Sequence, residues 1–414
     1  MSHESPLRFL QEAARLLLQY NMRTALLEQR LRQAAVSLGQ EVQIVPGYRQ
    51  LTIHAANGAY AHVQVHELRI NIAVSARVNR IIDELCGGLL SLPEALQRLD
   101  EVERVAEKHH RGVLALIFGC AAAALAALLS ADVPAMLVIG VSSALGLLAR
   151  QQLAKHHVSL FALPCVAAFI GALAGGLLIR MGATTTPGIC LIVPALMLVP
   201  GPHFINSLHD IVENNMTTGL ARLALASAIM LSASMGIFLG GWLTLGMTTV
   251  APWDSSVVHI PLWADMLLAG IAACGFGAVY NAPWPVLWTS IVGGMLGHGV
   301  RYLGLEYGAG LVLSTFAACV VIGAFAAGFV ERLRVPFAAV AFAGAVTMMP
   351  GVLMFRAIGG AMEISLAGTH ASPALVSSAF ANVFTAGFVV GAMGVGLLLG
   401  ARIAPLRARP AKAA

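Results

Sequence analysis

Apolar residues change their pattern near residue 111: before it they recur every three or four positions or alternate, and after it they form long runs. Leu7, Leu10, Ala14, Leu17 and Leu18, then Leu26, Leu27, Leu31, Ala34, Val36 and Leu38, predict two helices meeting near Asn21. The stretches VQIVP, RQLTIHA and HVQVHELRI alternate, are separated by Pro46-Gly47 and Asn57-Gly58, and predict a short antiparallel sheet. Two more helices are predicted over 76–87 and 92–107, with Ser91 as N-cap and Glu94 completing a capping box.

From Gly112 on there are ten apolar runs, over 112–130, 132–149, 158–179, 186–201, 219–245, 259–280, 284–299, 309–330, 335–354 and 378–400. Crossing a bilayer takes roughly 17–25 residues, so the fourth and seventh runs are short. The predicted fold is a membrane all-α protein preceded by a small α+β cytosolic domain at 1–111. Its ten transmembrane helices form two inverted five-helix repeats at 112–245 and 246–414. The inversion follows from the odd number of spans in each half, which makes the second half enter the membrane from the other face.

Composition agrees. Fifty-eight per cent of residues are hydrophobic, 11% are charged and the mean hydropathy is +0.80. Residues 1–111 hold 25 of the 45 Asp, Glu, Lys and Arg side chains. The net charge of +5 is an orientation signal, not a nucleic-acid footprint. With the N-terminus inside, Arg150, Lys155, Arg222, Arg332, Arg334, Arg402, Arg407, Arg409 and Lys412 fall on the cytoplasmic side, against Arg180, Arg301 and Arg356 outside. Both termini are therefore expected in the cytoplasm. No apolar leader opens the chain.

Two apolar segments are broken by proline and glycine, LIVPALMLVPGPHFINSLHD (191–210) and FAGAVTMMPGVLMFRAIGG (342–360), at the fourth and ninth runs. A helix interrupted in lipid frees backbone groups that only protein or a wet cavity can satisfy, so paired breaks mark a transport site. After Pro200-Gly201, Pro202 suits a first helical turn, and His203, Asn206, Asp210 and Glu213 share one face, which Asn214 and Thr217 extend. The exposed amides and dipole suit a carboxylate. Asp210 or Glu213 can carry a coupling proton, or the stripe is a solvated loop helix. After Pro350-Gly351 come Arg356, a counter-ion for a carboxylate or an interfacial anchor, and Glu363.

Asp265, within the sixth run, is a proton-relay candidate or an interfacial residue, and His298 shares that ambiguity. Trp253, Trp263, Trp284 and Trp288 fall where interfacial anchors belong. GALAGG (171–176) and GAFAAG (323–328) allow close helix packing. The six cysteines lack metal-ligand spacing, and His62, His66 and Glu67 lie on a predicted strand with no further ligand. There is no Walker A sequence and no GxSxG, and no cofactor or metal is expected.

LLLQYNMRTALLEQRLRQAAVSLG, ARVNRIIDELCGGLLSLPEALQRLDEVE, LVPGPHFINSLHDIVENNMTTGLARL and VPFAAVAFAGAVTMMPGVLMFRAIGG together resemble the threonine/serine exporter family nearly end to end. The last stretch resembles the family's smaller partner module, fused in one polypeptide. Tyr20-Asn21 departs from the small-residue turn expected between the first two helices. The resemblance implies proton-driven export of threonine and serine from the bacterial inner membrane, with dicarboxylate (succinate) export as the alternative. Pro200, Gly201, Asn206, Asp210, Gly219 and Arg222 match its first motif, and Pro350, Gly351 and Arg356 its second. The expected substrate site is Pro200, Gly201, His203, Asn206, Asp210, Pro350, Gly351 and Arg356. The proton-coupling candidates are Asp210, Glu213 and Asp265. The expected partners are a small-molecule substrate, a proton and lipid, without nucleic acid; assembly into a homo-oligomer is compatible with the sequence. A membrane-embedded hydrolase using His203, His209, Asp210 and Glu213, and a passive channel, are the rival classes.

Overall fold

The computed structural model describes residues 4–106, 109–156, 158–159, 161–246, 260–333 and 337–403. Trp253, Arg334, Arg407, Arg409 and Lys412 lie outside them.

The N-terminal layer contains α1 (Glu4–Gln19), α2 (Thr24–Ser37), β1 (Val42–Gly47), β2 (Gln50–Ala55), β3 (Tyr60–Gln64), α3 (Ile72–Cys86) and α4 (Leu92–Val105). The sheet is antiparallel in the order β1-β2-β3, with Ile53 opposite both Ile44 and Ala61. Ile44, Leu51, Ile53 and Val63 turn inward and pack with Phe9, Leu17, Leu31, Ile82 and Leu99 in one core. The Ser91–Glu94 capping box forms and Pro93 sits in the first turn of α4. Two sequence expectations are corrected. Pro46-Gly47 lies inside β1, and the chain turns instead at Tyr48-Arg49, where Arg49 takes a φ of 59°. The third strand stops at Gln64, and Val65 to Asn71 lead into α3 without strand pairing.

A second, larger core is built by α5 (Arg111–Leu128), α6 (Val133–Leu153), α7 (Ala162–Arg180), α8 (Pro187–Leu196), α9 (Gly201–Val212) and α10 (Met216–Leu245) with α11 (Leu262–Val279), α12 (Trp284–Glu306), α13 (Gly310–Leu333), α14 (Phe337–Ala345), α15 (Gly351–Ala367) and α16 (Pro373–Ile403). Among the described residues eight helices are long and apolar enough to cross a membrane, or nine if α8 and α9, bent by 61°, form one broken span. Leu137, Val141, Phe380, Phe384 and Phe388 are exposed, an outer surface that suits lipid and not water.

Small residues set the packing. A Cβ on Gly171 or Gly175 would collide with Pro194 or Cys190 of α8, and one on Gly176 with Thr244 of α10. The GALAGG run thus lets α8 and α10 close on α7. In the second half Gly323 of α13 lies against Leu397 of α16, and Gly400 against Val320. Asp132 caps α6, accepting from Ala135 N–H at 2.9 Å, and also accepts from Thr184 and Thr185 ahead of α8. Burial raises its pKa, but the hydrogen bonds from Thr185, Ala135 and Thr184 together outweigh that and hold it below the ordinary Asp value.

Candidate functional site

Both breaks use the same turn. Pro200 (φ −81°, ψ 61°) and Pro350 (φ −77°, ψ 46°) each sit at the centre of a tight turn, across which Gly201 N–H donates to Val199 O at 2.8 Å and Gly351 N–H to Met349 O at 2.8 Å. These are inverse γ-turns, which proline's fixed φ favours. A helix then restarts at the glycine in each case. A helix resumes after each break and runs beyond the span ends expected at 201 and 354: α9 continues to Val212 and α15 to Ala367.

The two breaks cross. A Cβ placed on Gly201 would lie 3.1 Å from Val346 Cγ2 and 3.4 Å from Met349 Cγ, and one placed on Gly351 would lie 2.9 Å from both Leu196 Cδ2 and Val199 Cγ2. Each glycine therefore rests on the residues just before the other break. Leu196, Val199, Val346 and Met348 are buried there, and the seam is apolar.

On the side of the N-terminal layer, His203, Asn206 and Asp210 of α9 are 6%, 3% and 0% exposed. They do not face water. Partners for Asn206 and Asp210 come from the turn between α1 and α2, where Asn21 adopts a left-handed φ of 59° that asparagine tolerates. Asn206 Nδ2 donates to Asn21 O at 2.8 Å, and Thr24 N–H donates to Asp210 Oδ1 at 2.9 Å. Arg222 of α10 donates to Asp210 Oδ2 at 2.6 Å and to Met22 O at 2.8 Å. Arg23 and Glu213 form an ion pair at 2.8 Å at the edge. Tyr20 donates to Glu103 at 2.6 Å; burial first, and then this bond, push its phenol pKa up, so the hydroxyl stays a donor. A cavity of about 80 Å³ is left beneath the turn, lined by Asn21, Asn206, His209, Tyr280 and Phe342. The second half is tied in as well: Ile72 N–H donates to Tyr280 O at 2.8 Å and Asn281 Nδ2 to Asn71 Oδ1 at 3.0 Å. The polar stripe ends sooner than expected, because Asn214 takes a φ of 64° and stops α9, leaving Thr217 on α10.

On the opposite side a cavity of about 420 Å³ reaches Pro350 and Met349 of the second break and Leu196 before the first. Asp265, His298, Arg301, Glu306 and Arg356 line it, with Glu306 exposed at the rim. Asp265 Oδ2 and His298 Nδ1 are 3.1 Å apart. Arg301 and Arg356 lie inside α12 and α15, which corrects their assignment to external connections.

The residues expected to form one chamber thus fall into three places. Pro200, Gly201, Pro350 and Gly351 make the crossing; His203, Asn206, Asp210 and Glu213 lie under the N-terminal layer; Asp265 and Arg356 line the opposite cavity. Asn206 and Arg356 hold matching positions, five residues after the glycine of each break. The sequence reading missed the Asn21–Thr24 turn, whose departure from small residues was the available signal. It also took Arg222 and Arg301 for loop charges.

Two family models match the chain: ThrE, a threonine/serine exporter, over residues 8–243, and a second described as "Threonine/Serine exporter, ThrE" over residues 265–403. No solved structure matches.

Proposed function

We propose that this chain, which belongs to the threonine/serine exporter family, exports threonine and serine in exchange for protons by alternating access across the crossing of its two Pro-Gly breaks. It is a multi-pass membrane transporter. The observation that carries the proposal is the apolar seam at Gly201 and Gly351, which separates a cavity of about 420 Å³ on one side from buried, hydrogen-bonded polar side chains on the other. Such a seam, flanked by helix breaks, is what a carrier needs at the point where access alternates.

Counting α8–α9 and α14–α15 as one span each, and α12 as a span of 23 residues, gives ten. The pairing of α7 with α10 and of α13 with α16 supports two five-helix repeats at 112–245 and 246–414. The N-terminal layer at 1–111 then faces the cytoplasm of a bacterial inner membrane.

A zwitterion needs one cation and one anion from its site. The outward cavity carries Arg301 and Arg356 with Asp265 and Glu306, a balance that favours an amino acid over a dicarboxylate. Asp210 is already held by Arg222 and Thr24 in this conformation. Counterflow in proteoliposomes loaded with threonine, serine or succinate is the test. Threonine and serine exchange is expected. Exchange of succinate alone would replace the reading with dicarboxylate export, flux without counterflow would indicate a channel, and chemical change of the solute would indicate an enzyme.

A further inference from the structure

Beyond that exporter reading, on which this inference rests, the outward cavity holds a pair of groups with a specific relationship. Asp265 on α11 and His298 on α12 meet at 3.1 Å between oxygen and Nδ1, with side chains 13% and 10% exposed. His298 Nε2 is buried without a hydrogen-bond partner among the described residues. Three residues on, nearly one helical turn, Arg301 reaches the same cavity and is electrostatically coupled to Asp265. The other titratable or charged groups around it are Tyr302 and Glu306 on α12, Arg356 on α15 and Cys319 on α13. Among the described residues lining this cavity, Asp265 and Glu306 are the acids, and Glu306 sits exposed at the rim. Asp265 is therefore the anion available at depth.

We propose that Asp265 is the shared counter-ion of the exchange: it holds either a proton, as the imidazolium of His298, or the ammonium of the amino acid, while Arg301 holds the carboxylate. With the cavity empty of substrate, the imidazolium donates from Nδ1 to Asp265 and carries its second proton on Nε2. When threonine enters, its ammonium, already protonated, pairs with Asp265. The imidazolium then loses its electrostatic support and releases one proton, which leaves through the cavity. One proton leaves for each amino acid bound, and the reverse happens on release. Mutual exclusion at one carboxylate produces antiport without nucleotide or metal, because a single carboxylate cannot neutralise both cations at once.

The test is equilibrium binding of threonine to the purified full-length protein in detergent between pH 5 and 8, with proton release followed in weakly buffered solution. In the wild type, threonine affinity is expected to weaken by up to about tenfold for each unit of falling pH within that range, with one proton released per threonine. H298Q is expected to bind with a flat pH dependence and no proton release; D265N is expected to lose threonine binding at every pH. Wild-type binding that is independent of pH and releases no proton overturns the proposal even if neither variant folds. So does H298Q with the wild-type slope. Failure to bind threonine at any pH would instead remove the exporter reading, and this inference with it.

Discussion

Arg222 donates to Asp210 at 2.6 Å although their side chains are only 1% and 0% exposed, and the chain from Met22 to Thr24 adds one hydrogen bond to each, Met22 O accepting from Arg222 and Thr24 N–H donating to Asp210. A buried pair of this kind contributes little net stability against an apolar pair of similar volume, but removing one partner strands the other charge. D210A should therefore cost about 3–5 kcal/mol, and the double variant D210A/R222M should recover most of it. Thermal unfolding of the detergent-solubilised protein measures both; equal losses in single and double variants would contradict the argument.

The crossing of the breaks predicts a loss of transport that depends on position. An alanine at Gly351 meets Leu196 and Val199 at 2.9 Å, and one at Gly201 meets Val346 at 3.1 Å, whereas nothing lies within 4 Å of Gly387 on α16. Overpacking of about 1–3 kcal/mol at the seam should lower threonine counterflow by roughly tenfold or more in G351A and G201A, with G387A indistinguishable from wild type.

If the Asn21–Thr24 turn closes the inner side, holding it down should stop turnover. R23C and E213C, placed where an ion pair of 2.8 Å now sits, should cross-link readily with a short reducible reagent in a background free of the six native cysteines. Export should cease on linking and return on reduction. Continued export by the linked protein would show that the layer does not move.

Asp132 gives a pH dependence of stability whose sign follows from its depressed pKa. A carboxylate stabilised in the folded state contributes fully above its unfolded pKa of about 3.9 and loses that contribution as the pH falls through the folded value. D132A, which also removes the cap of α6, should lower stability at pH 7 by about 0.5–2 kcal/mol. The difference from wild type should shrink in acid below about pH 4. A constant gap across that range would assign the whole effect to geometry.

Periodicity gave α1, α2 and α4, because each buries a single stripe, and Ser91–Glu94 marked the start of α4 without tertiary information. The Pro-Gly breaks were equally legible, since no apolar neighbour can supply proline's missing donor. What escaped was where partners come from. Asp210 looked like a ligand for a solute and Glu213 like a proton carrier, yet Thr24 and Arg23, nearly two hundred residues earlier, reach them. The end of α9 at Asn214 was hidden because asparagine accepts a helical or a left-handed φ, and only packing against α10 decides between them. Likewise, the alternating residues after Gln64 satisfy a strand pattern, but α3 begins at Ile72.

The N-terminal layer is stitched through Asn21, Met22 and Thr24 to α9 and α10, and through Asn71 and Ile72 to the corner after α11. It is hydrogen-bonded to both halves of the larger core, so any shift of one half against the other would have to break bonds at one end. Anything that stiffens this layer from outside the bilayer would slow the whole machine, giving the cell a brake remote from the cargo path.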